Sequence, residues 1–518
     1  MSRTVNKTLS FPTAGIGRRL SYRKQTRPYS TPYALNVRGV GTLERRERGG
    51  SRPGLAKLIA TPLGAAITAV NSVTTVDSAG TRLRHIIAVA GGNLYDYNGT
   101  TFVQNAPELL WEDGNQILWE DGSTIVYDST VTAANPVAAT GAHQTAEHNG
   151  KLYLADSYLM SYDPLTGIVE TVPAISGTVP AGCEIICTYR DRMILANKHL
   201  WFASRSGDFG DWNYGSTFED ESRAILGQVT FSGIIGEPIT ALIPFRDQAL
   251  IIACENSLWV LKGDPATGSI TNLSSEVGVI APDAWSLSPS GMLVFLSNDG
   301  LYMSGVTDAP VRVSEERVPD ELRNVDPTAG NISVAYNPVE RGFNVFISAT
   351  NCWFFDYERK ALWKDSYQAD HFPASTTLTD GDGLRTVVLG STDGYLRVFS
   401  PTATSDDGTT FTSSVVIGPF RIAADDVRDA LLSEIYGILA DNSGSVRWSA
   451  YMGLSAEHVA DASESIHKSD ASGIWTENRN RVQRPRCRGA WCAICLTSSS
   501  RWSFEAVSIV GRQLGRLR

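Results

Sequence analysis

Seven stretches of this chain share one plan: an apolar strand, one or two turn residues of the Gly, Asp or Asn kind, then a second strand carrying an aromatic or leucine. They are Ile87–Tyr95, Asn149–Tyr153, Arg192–Trp201, Ala249–Trp259, Leu293–Tyr302, Phe343–Trp353 and Val387–Leu396. Anchored on Tyr95, Tyr153, Trp201, Trp259, Tyr302, Trp353 and Leu396, successive copies lie 58, 48, 58, 43, 51 and 43 residues apart. A hairpin that returns every ~40–50 residues has the period of a β-propeller blade. One such unit cannot bury its apolar faces alone, so copies must stack around a common axis. The expected fold is mainly β: an irregular β-propeller of about six blades, with five to seven possible, preceded by an extended N-terminal arm and followed by a β-sandwich-like domain.

The boundaries follow from where the hairpin plan starts and stops. Residues 1–55 are rich in turn formers and lack periodicity, which reads as a basic arm, mobile in isolation and ordered only against neighbours. Residues 56–410 hold the blades. Residues 411–518 carry at least five strand-like runs without a blade period, among them Ser413–Phe420, Ser433–Leu439, Ser445–Tyr451, Trp491–Leu496 and Trp502–Ile509. A short helix capped by Ser314 is expected over Ser314–Arg323, limited by Pro319. Ala424–Leu432 fits helix or strand, and Ala456–Ile474 reads as an exposed polar loop. The repeated Trp-Glu-Asp-Gly at 111–114 and 119–122 reads as a local hairpin echo.

At 518 residues, 42% apolar and 19% charged, the composition is that of a folded globular chain. No run of about 18 apolar residues is present, so no membrane insertion is expected. Met1–Pro12 has no apolar core of the secretory kind. Seven cysteines, an odd number in a long chain, argue against a disulfide framework and for folding in a reducing cytoplasm.

The net charge of −10 conceals an asymmetry. Residues 1–53 hold 12 Lys/Arg against 2 Asp/Glu, residues 478–518 hold 9 Arg against Glu505, and the intervening 54–477 are left at −28. Two readings of the basic ends stand open: solvated tails, or segments that dock on acidic surfaces of partner subunits. The side chains placed to make such contacts are Arg18, Arg19, Arg23, Lys24, Arg27, Arg45, Arg46 and Arg48 in the arm, with Arg484, Arg486 and Arg488 near the C-terminus. An acidic body speaks against a sequence-reading DNA-binding protein, which needs positive charge facing phosphate.

Catalytic and metal motifs are sparse. The phosphate-cradling loop, the His-Glu-x-x-His zinc helix and the Gly-x-Ser-x-Gly nucleophile turn are missing. His143 and His148 are five apart, which suits neither a helix face nor a strand pair. Cys487, Cys492 and Cys495 read C-x4-C-x2-C, half a zinc site, but alternation sends Cys492 and Cys495 to opposite faces of a strand, so buried structural thiols are expected. The Asp-Gly pairs at Asp299–Gly300, Asp380–Gly383, Asp393–Gly394 and Ser405–Gly408 read as hairpin turns. No enzyme, cofactor or metal is expected.

Two neighbouring stretches carry a family resemblance. Leu200–Tyr214 is a strand followed by a polar loop that closes on Asp211-Trp212. Gly233–Trp259 follows with a Gly-Ile-Ile turn, an Arg-Asp hairpin and a strand ending in an aromatic. With Ser51-Arg-Pro-Gly54 entering the first blade and a C-terminal β-domain ending in a basic strand, the chain resembles the tail hub or nozzle proteins of short-tailed bacteriophages, also called packaged-DNA stabilisation proteins. The resemblance implies a structural virion protein of the tail, made in the host bacterial cytoplasm. It implies a hexameric ring below the portal and adaptor that extends and closes the DNA channel, and that docks tail fibres or spikes. Double-stranded DNA would pass through without sequence-specific binding. The alternative is a carbohydrate-binding or carbohydrate-cleaving propeller at a tail tip. A host interaction propeller is a third reading, but its regular Trp-Asp or kelch signature is missing.

Overall fold

The structure, a computed structural model, describes residues 4–19, 21, 29–43, 45–97, 102–105, 144–155, 158–215, 220–228, 230–231, 234–305, 308–315, 317–318, 320–327, 332–371, 373–379, 385–423, 428–464 and 468–516. The expectations placed on Arg23, Lys24, Arg27, the two Trp-Glu-Asp-Gly copies, His143 and Asp380–Gly383 lie outside the described residues.

Among the described residues, seven antiparallel four-stranded blades follow one another, at 67–105, 144–171, 185–228, 239–274, 285–312, 333–365 and 373–400. Five short strands precede them: β1 (Thr4–Leu9), β2 (Ala34–Leu35), β3 (Gly54–Lys57) and a two-residue antiparallel pair, Val37–Arg38 with Gly50–Ser51. Blade 7 takes its outer strand from this N-terminal region. β3 runs antiparallel to Leu396–Ser400, with Lys57 opposite Arg397 and Gly54 opposite Ser400. The ring closes where Ile67, Val70 and Ala88 of blade 1 pack on Val388 and Leu396 of blade 7. The fold is a β-propeller of seven blades.

The second strand is buried along its whole length in blades 4 and 5, Ala249–Cys254 and Leu293–Ser297, and along all but its last residue in blades 3 and 6. Neighbouring blades cover both of its faces, which is why these strands read as continuous apolar runs rather than alternating ones. Six of the seven sequence hairpins join second and third strands of a blade. Asn149–Tyr153 is out of phase and turns between the first and second strands of blade 2. That turn places Asn149 and Gly150 at φ 49° and 76°, the left-handed pair a tight hairpin needs. The third strand there is Leu159–Asp163; anchoring on Met160 changes the first two spacings to 65 and 41. The largest remaining irregularities are the lengths of two connections, 106–143 between blades 1 and 2, and 204–224 inside blade 3.

Fully buried Arg192 ties the second of these down. It donates to the carbonyls of Ser204, Glu221, Ser222 and Arg223 and forms a two-pronged pair with Asp264 of blade 4. Trp212, in the same loop, is buried and lies in a short parallel pairing with Ser176–Gly177.

The C-terminal domain is built from β4 (Ser413–Arg421), β5 (Arg428–Leu439), β6 (Val446–Gly453), α1 (Ala456–Glu464), β7 (Ala471–Trp475), β8 (Asn478–Arg479), β9 (Cys487–Gly489), β10 (Trp491–Ser498) and β11 (Phe504–Arg516). It is a β-sandwich fused to the propeller rather than tethered to it. β2 pairs in parallel with blade 6's outer strand and antiparallel with β4, so blade 6, β2, β4, β10, β6 and β7 form one nine-stranded sheet. The facing sheet runs β1, β11, β5, β8, with β9 also on β5. A single apolar core continues from Ile251 and Phe295 through Phe355 into Trp448 and Ile509.

Three expectations are corrected and one open choice is decided. The arm is not held for neighbours in its described part: β1 pairs along its full length with β11, and Lys7 donates to the Arg421 carbonyl at 2.6 Å. Ser314–Arg323 forms turns instead of a helix; Ser314 Oγ accepts from the Leu301 amide, tying the segment to blade 5. Residues 456–474 are not an open loop. Ser455 caps α1 through the His458 amide, and Ala456, Val459, Ala460 and Ser463 are buried on one face. Ala424–Leu432 resolves as strand from Arg428 onward, because β11 and β9 pair with it.

Candidate functional site

The two basic ends meet in the sandwich, yet their charges have different fates. Arg18, Arg19, Arg38 and Arg48 of the arm pair with carboxylates of the same chain. Arg18 joins Glu321 of the propeller to Glu464 of α1, Arg19 reaches Glu315 at 3.1 Å, and Arg48 pairs with Glu505 at 2.5 Å. Deeper in the arm, Arg38 grips Asp365 with two 2.8 Å bonds and Glu340 with a third, while its guanidinium lies 4.1 Å from the Phe354 ring. Arg45 and Arg46 are exposed.

The C-terminal arginines form a surface. Residues 478–489 run along the edge of β5, held by Asn478 and Arg479 opposite Leu439 and Ile438, by reciprocal bonds between Gln483 and Ile435, and by Cys487 and Arg488 opposite Leu432 and Leu431. Gln483 points inward and accepts from Trp448 Nε1 at 2.6 Å. Asn480 locks the preceding turn through Thr476. Arg479, Arg481, Arg484, Arg486 and Arg488 are thereby displayed, all exposed, within ten residues of chain, with Arg486 turned at φ 57°. Two carboxylates answer them: Asp429 takes Arg488 at 2.6 Å and Glu434 lies 3.7 Å from Arg484. Arg479 rests over Tyr436, 5.4 Å from the ring centroid. Arg481 and Arg486 have no acidic partner among the described residues. Arg512, exposed on β11, extends the same sheet.

Of the C-terminal residues singled out in the sequence, Arg484, Arg486 and Arg488 belong to this row; Arg479 and Arg481 were missed. The signal was available as density: five arginines fall within the ten residues 479–488, with Asp or Glu at none of them.

Elsewhere the chemistry is structural. Cys492 lies near Lys7 on the side of the second sheet, whereas Cys495 bonds Ser414 on the other side. Burial pushes every thiol upward, that of Cys487 to about 11, away from reactive thiolate character. His148 pairs with Asp191 at 2.9 Å beside Phe209. Asp393, Asp406 and Asp407, from the Asp-Gly turns, are spent on buried arginines: Arg397 holds Asp393 and Asp407, and Arg52 holds Asp406. Asp299 accepts from Tyr302 in its hairpin turn.

Cavities are present among the described residues. One, about 280 Å³, lies between the arm and blade 6, with Arg45, Glu47, Arg341, Glu358 and Arg359 around it. Another, about 290 Å³, lies on the propeller's inner strands and includes Asn71, Gln144, Glu147, Thr188 and Asp283. Asp283 is exposed to this cavity, yet the protein crowded around it raises its carboxyl to about 6 although Gln144 donates to it at 2.5 Å.

Fold and site together define a seven-bladed β-propeller fused to a β-sandwich that presents a row of arginines. No family model and no curated protein matches the chain. Among solved structures it is similar to the extracellular domain of a one-component system from B. thetaiotaomicron, at 11% identity and TM-score 0.39 over 75% of this chain and 44% of that one. It is similar to U3-55K at 10% identity and TM-score 0.38, covering 67% and 99%. It is similar as well to the WD40 β-propeller domain of Doa1 at 11% and 0.36, covering 67% and 97%. The blade assignment itself rests on the sheet pairing described above.

Proposed function

We propose that the chain is a structural protein of a bacteriophage tail: a ring-forming nozzle or hub below the portal and adaptor that extends and closes the DNA channel, retains the packaged genome and docks tail fibres or spikes. The observation that carries this reading is the separation of charge on one continuous body. Both chain ends build a sandwich with an exposed, under-compensated arginine row, while residues 54–477 carry −28. An acidic wall suits a conduit through which DNA slides, because like charge keeps phosphate from adhering. An arginine row suits docking on acidic protein surfaces. On this reading the described chemistry is scaffolding, with no catalytic step assigned.

The test is made on particles. Mass spectrometry of purified mature virions from the phage that encodes the chain detects it at several copies per portal ring. Particles produced without it fill their heads but release the genome. Mature, infectious, DNA-retaining particles that lack the chain would overturn the reading.

A further inference from the structure

The arginine row needs a counter-surface, and the propeller carries one that the same copy does not bring to it. At one rim of blades 4 and 5, Glu237, Glu255, Glu276 and Asp299 gather on neighbouring turns. Glu237 accepts from the Asn256 amide at 3.0 Å and from Ser257 at 3.3 Å. Glu255 accepts from Asn298 at 3.0 Å, next to Asp299. Gly278, two residues past Glu276, packs against the Glu255 backbone. Glu237, Glu255 and Glu276 bond amides, hydroxyls or solvent and take no ion pair from an arginine or lysine among the described residues. Asp299 has Arg312 at 3.5 Å, and Lys198 sits on the adjacent blade 3 turn.

The two surfaces face different ways. α1 packs on β4, β6 and β10, and Arg18 links α1 to Glu321, so the propeller's blade 5–6 connection lies on the α1 side of the sandwich. The arginine row belongs to the other sheet, on β5. Each copy therefore shows a positive surface and a negative one that it cannot satisfy by itself. We infer that the arginine row of one copy docks on the blade 4–5 acidic rim of a second copy of this chain. Such a contact is heterologous: it joins unlike patches head to tail, and it closes into a ring or continues as a filament. Charge complementarity argues for this occupant, with Arg481 and Arg486 supplying free guanidinium groups and Glu255 and Glu276 the exposed carboxylates. The inference rests on the ring reading above and gives it an interface.

The experiment uses the full chain and two double variants. Arg481→Glu with Arg486→Glu reverses the row; Glu255→Lys with Glu276→Lys reverses the rim. All four positions are exposed, so both variants should fold, as circular dichroism and thermal melting will check. Mass photometry follows assembly at low and at physiological salt. The expected result is assembly of the wild-type chain that weakens with salt, loss of roughly tenfold or more in apparent affinity for each variant alone, and recovery when the two variants are mixed. Recovery on mixing is diagnostic, because reversed row then meets reversed rim and the unchanged patches still match. If the wild-type chain assembles and the variants do so equally well, this interface is wrong while the ring reading stands. A wild-type chain that stays monomeric at every concentration overturns both. A wild-type chain that does not self-associate, but retards a 30-base-pair DNA duplex through the same arginines, assigns the row to nucleic acid and overturns the inference.

Discussion

Arg52 and Asp406, 354 residues apart in sequence, meet as a fully buried two-pronged pair at 2.9 and 2.6 Å. Arg52 lies two residues before the closing strand of blade 7, and Asp406 lies six residues beyond that blade's last sequential strand. Asn36 and the carbonyls of Pro53 and Ser366 take the remaining guanidinium donors. Tyr367 and Phe411 cover its faces at 4.4 and 3.9 Å. The pair sits where arm, blade 6, blade 7 and the start of the sandwich converge, so a contact at the propeller's closure also fixes the sandwich.

Removing one partner leaves a buried charge. Arg52→Met is expected to cost about 3–5 kcal/mol in urea unfolding. Arg52→Lys should recover only part of the loss, because an ammonium cannot reproduce the planar fork. The double change Arg52→Met with Asp406→Leu should recover more than Arg52→Lys does. A loss below about 1 kcal/mol in Arg52→Met would mean that the closure does not depend on this pair.

Asp283 gives stability a pH dependence of definite sign. Its native carboxyl keeps a proton up to about pH 6, whereas an unfolded one releases it near about 3.9. The native state therefore binds more protons between these values, and this group's contribution falls as pH rises through that window, then stays level above it. Asp283→Asn should stabilise the chain relative to wild type at pH 7, with the difference vanishing below about pH 4. Paired thermal melts from pH 3.5 to 8 check it; a difference that grows toward acid would contradict the assignment.

The sandwich interior has a position with no room to spare. A Cβ on Gly437 would lie 2.4 Å from the Trp475 ring, and that ring stacks on Trp448 at 5.8 Å. Gly437→Ala should cost about 1–3 kcal/mol through forced displacement of the pair. The shift should appear in near-ultraviolet circular dichroism and tryptophan fluorescence, with far-ultraviolet spectra unchanged.

Deleting residues 1–10 removes β1 and with it the outer partner of β11. Hydrogen exchange in Phe504–Arg516 is expected to accelerate strongly while Ala249–Cys254, in blade 4, keeps its protection. Equal protection of Phe504–Arg516 in both chains would show that β11 does not depend on β1.

Much of the fold was legible because blade strands are apolar on both faces and their turns demand Gly, Asn or Asp. Leu293–Tyr302 needs no partner to be recognised as a hairpin. What local pattern could not supply was long-range. The pairing of Gly54–Lys57 with Leu396–Ser400, and of Thr4–Leu9 with β11, depends on contacts across nearly the whole chain, and short strands such as Ala34–Leu35 have no period at all. Blade 2 misled because its first turn, Asn149-Gly150, is a stronger hairpin signal than its second. α1 was hidden by polar composition, although the spacing of Ala456, Val459, Ala460 and Ser463 is helical. The basic ends were visible as charge. Which arginines bind the chain's own carboxylates and which stay free became clear only from their positions.

The proposed ring would join each copy to its neighbours through the row from Arg479 to Arg488. Electron microscopy of the purified full-length protein, assembled at low salt, tests it most directly. The account predicts closed rings of identical copies related by rotation, with the edge strand of each sandwich against the blade 4–5 rim of the next. Isolated monomers, or two-fold dimers in which both arginine rows face solvent, would contradict it.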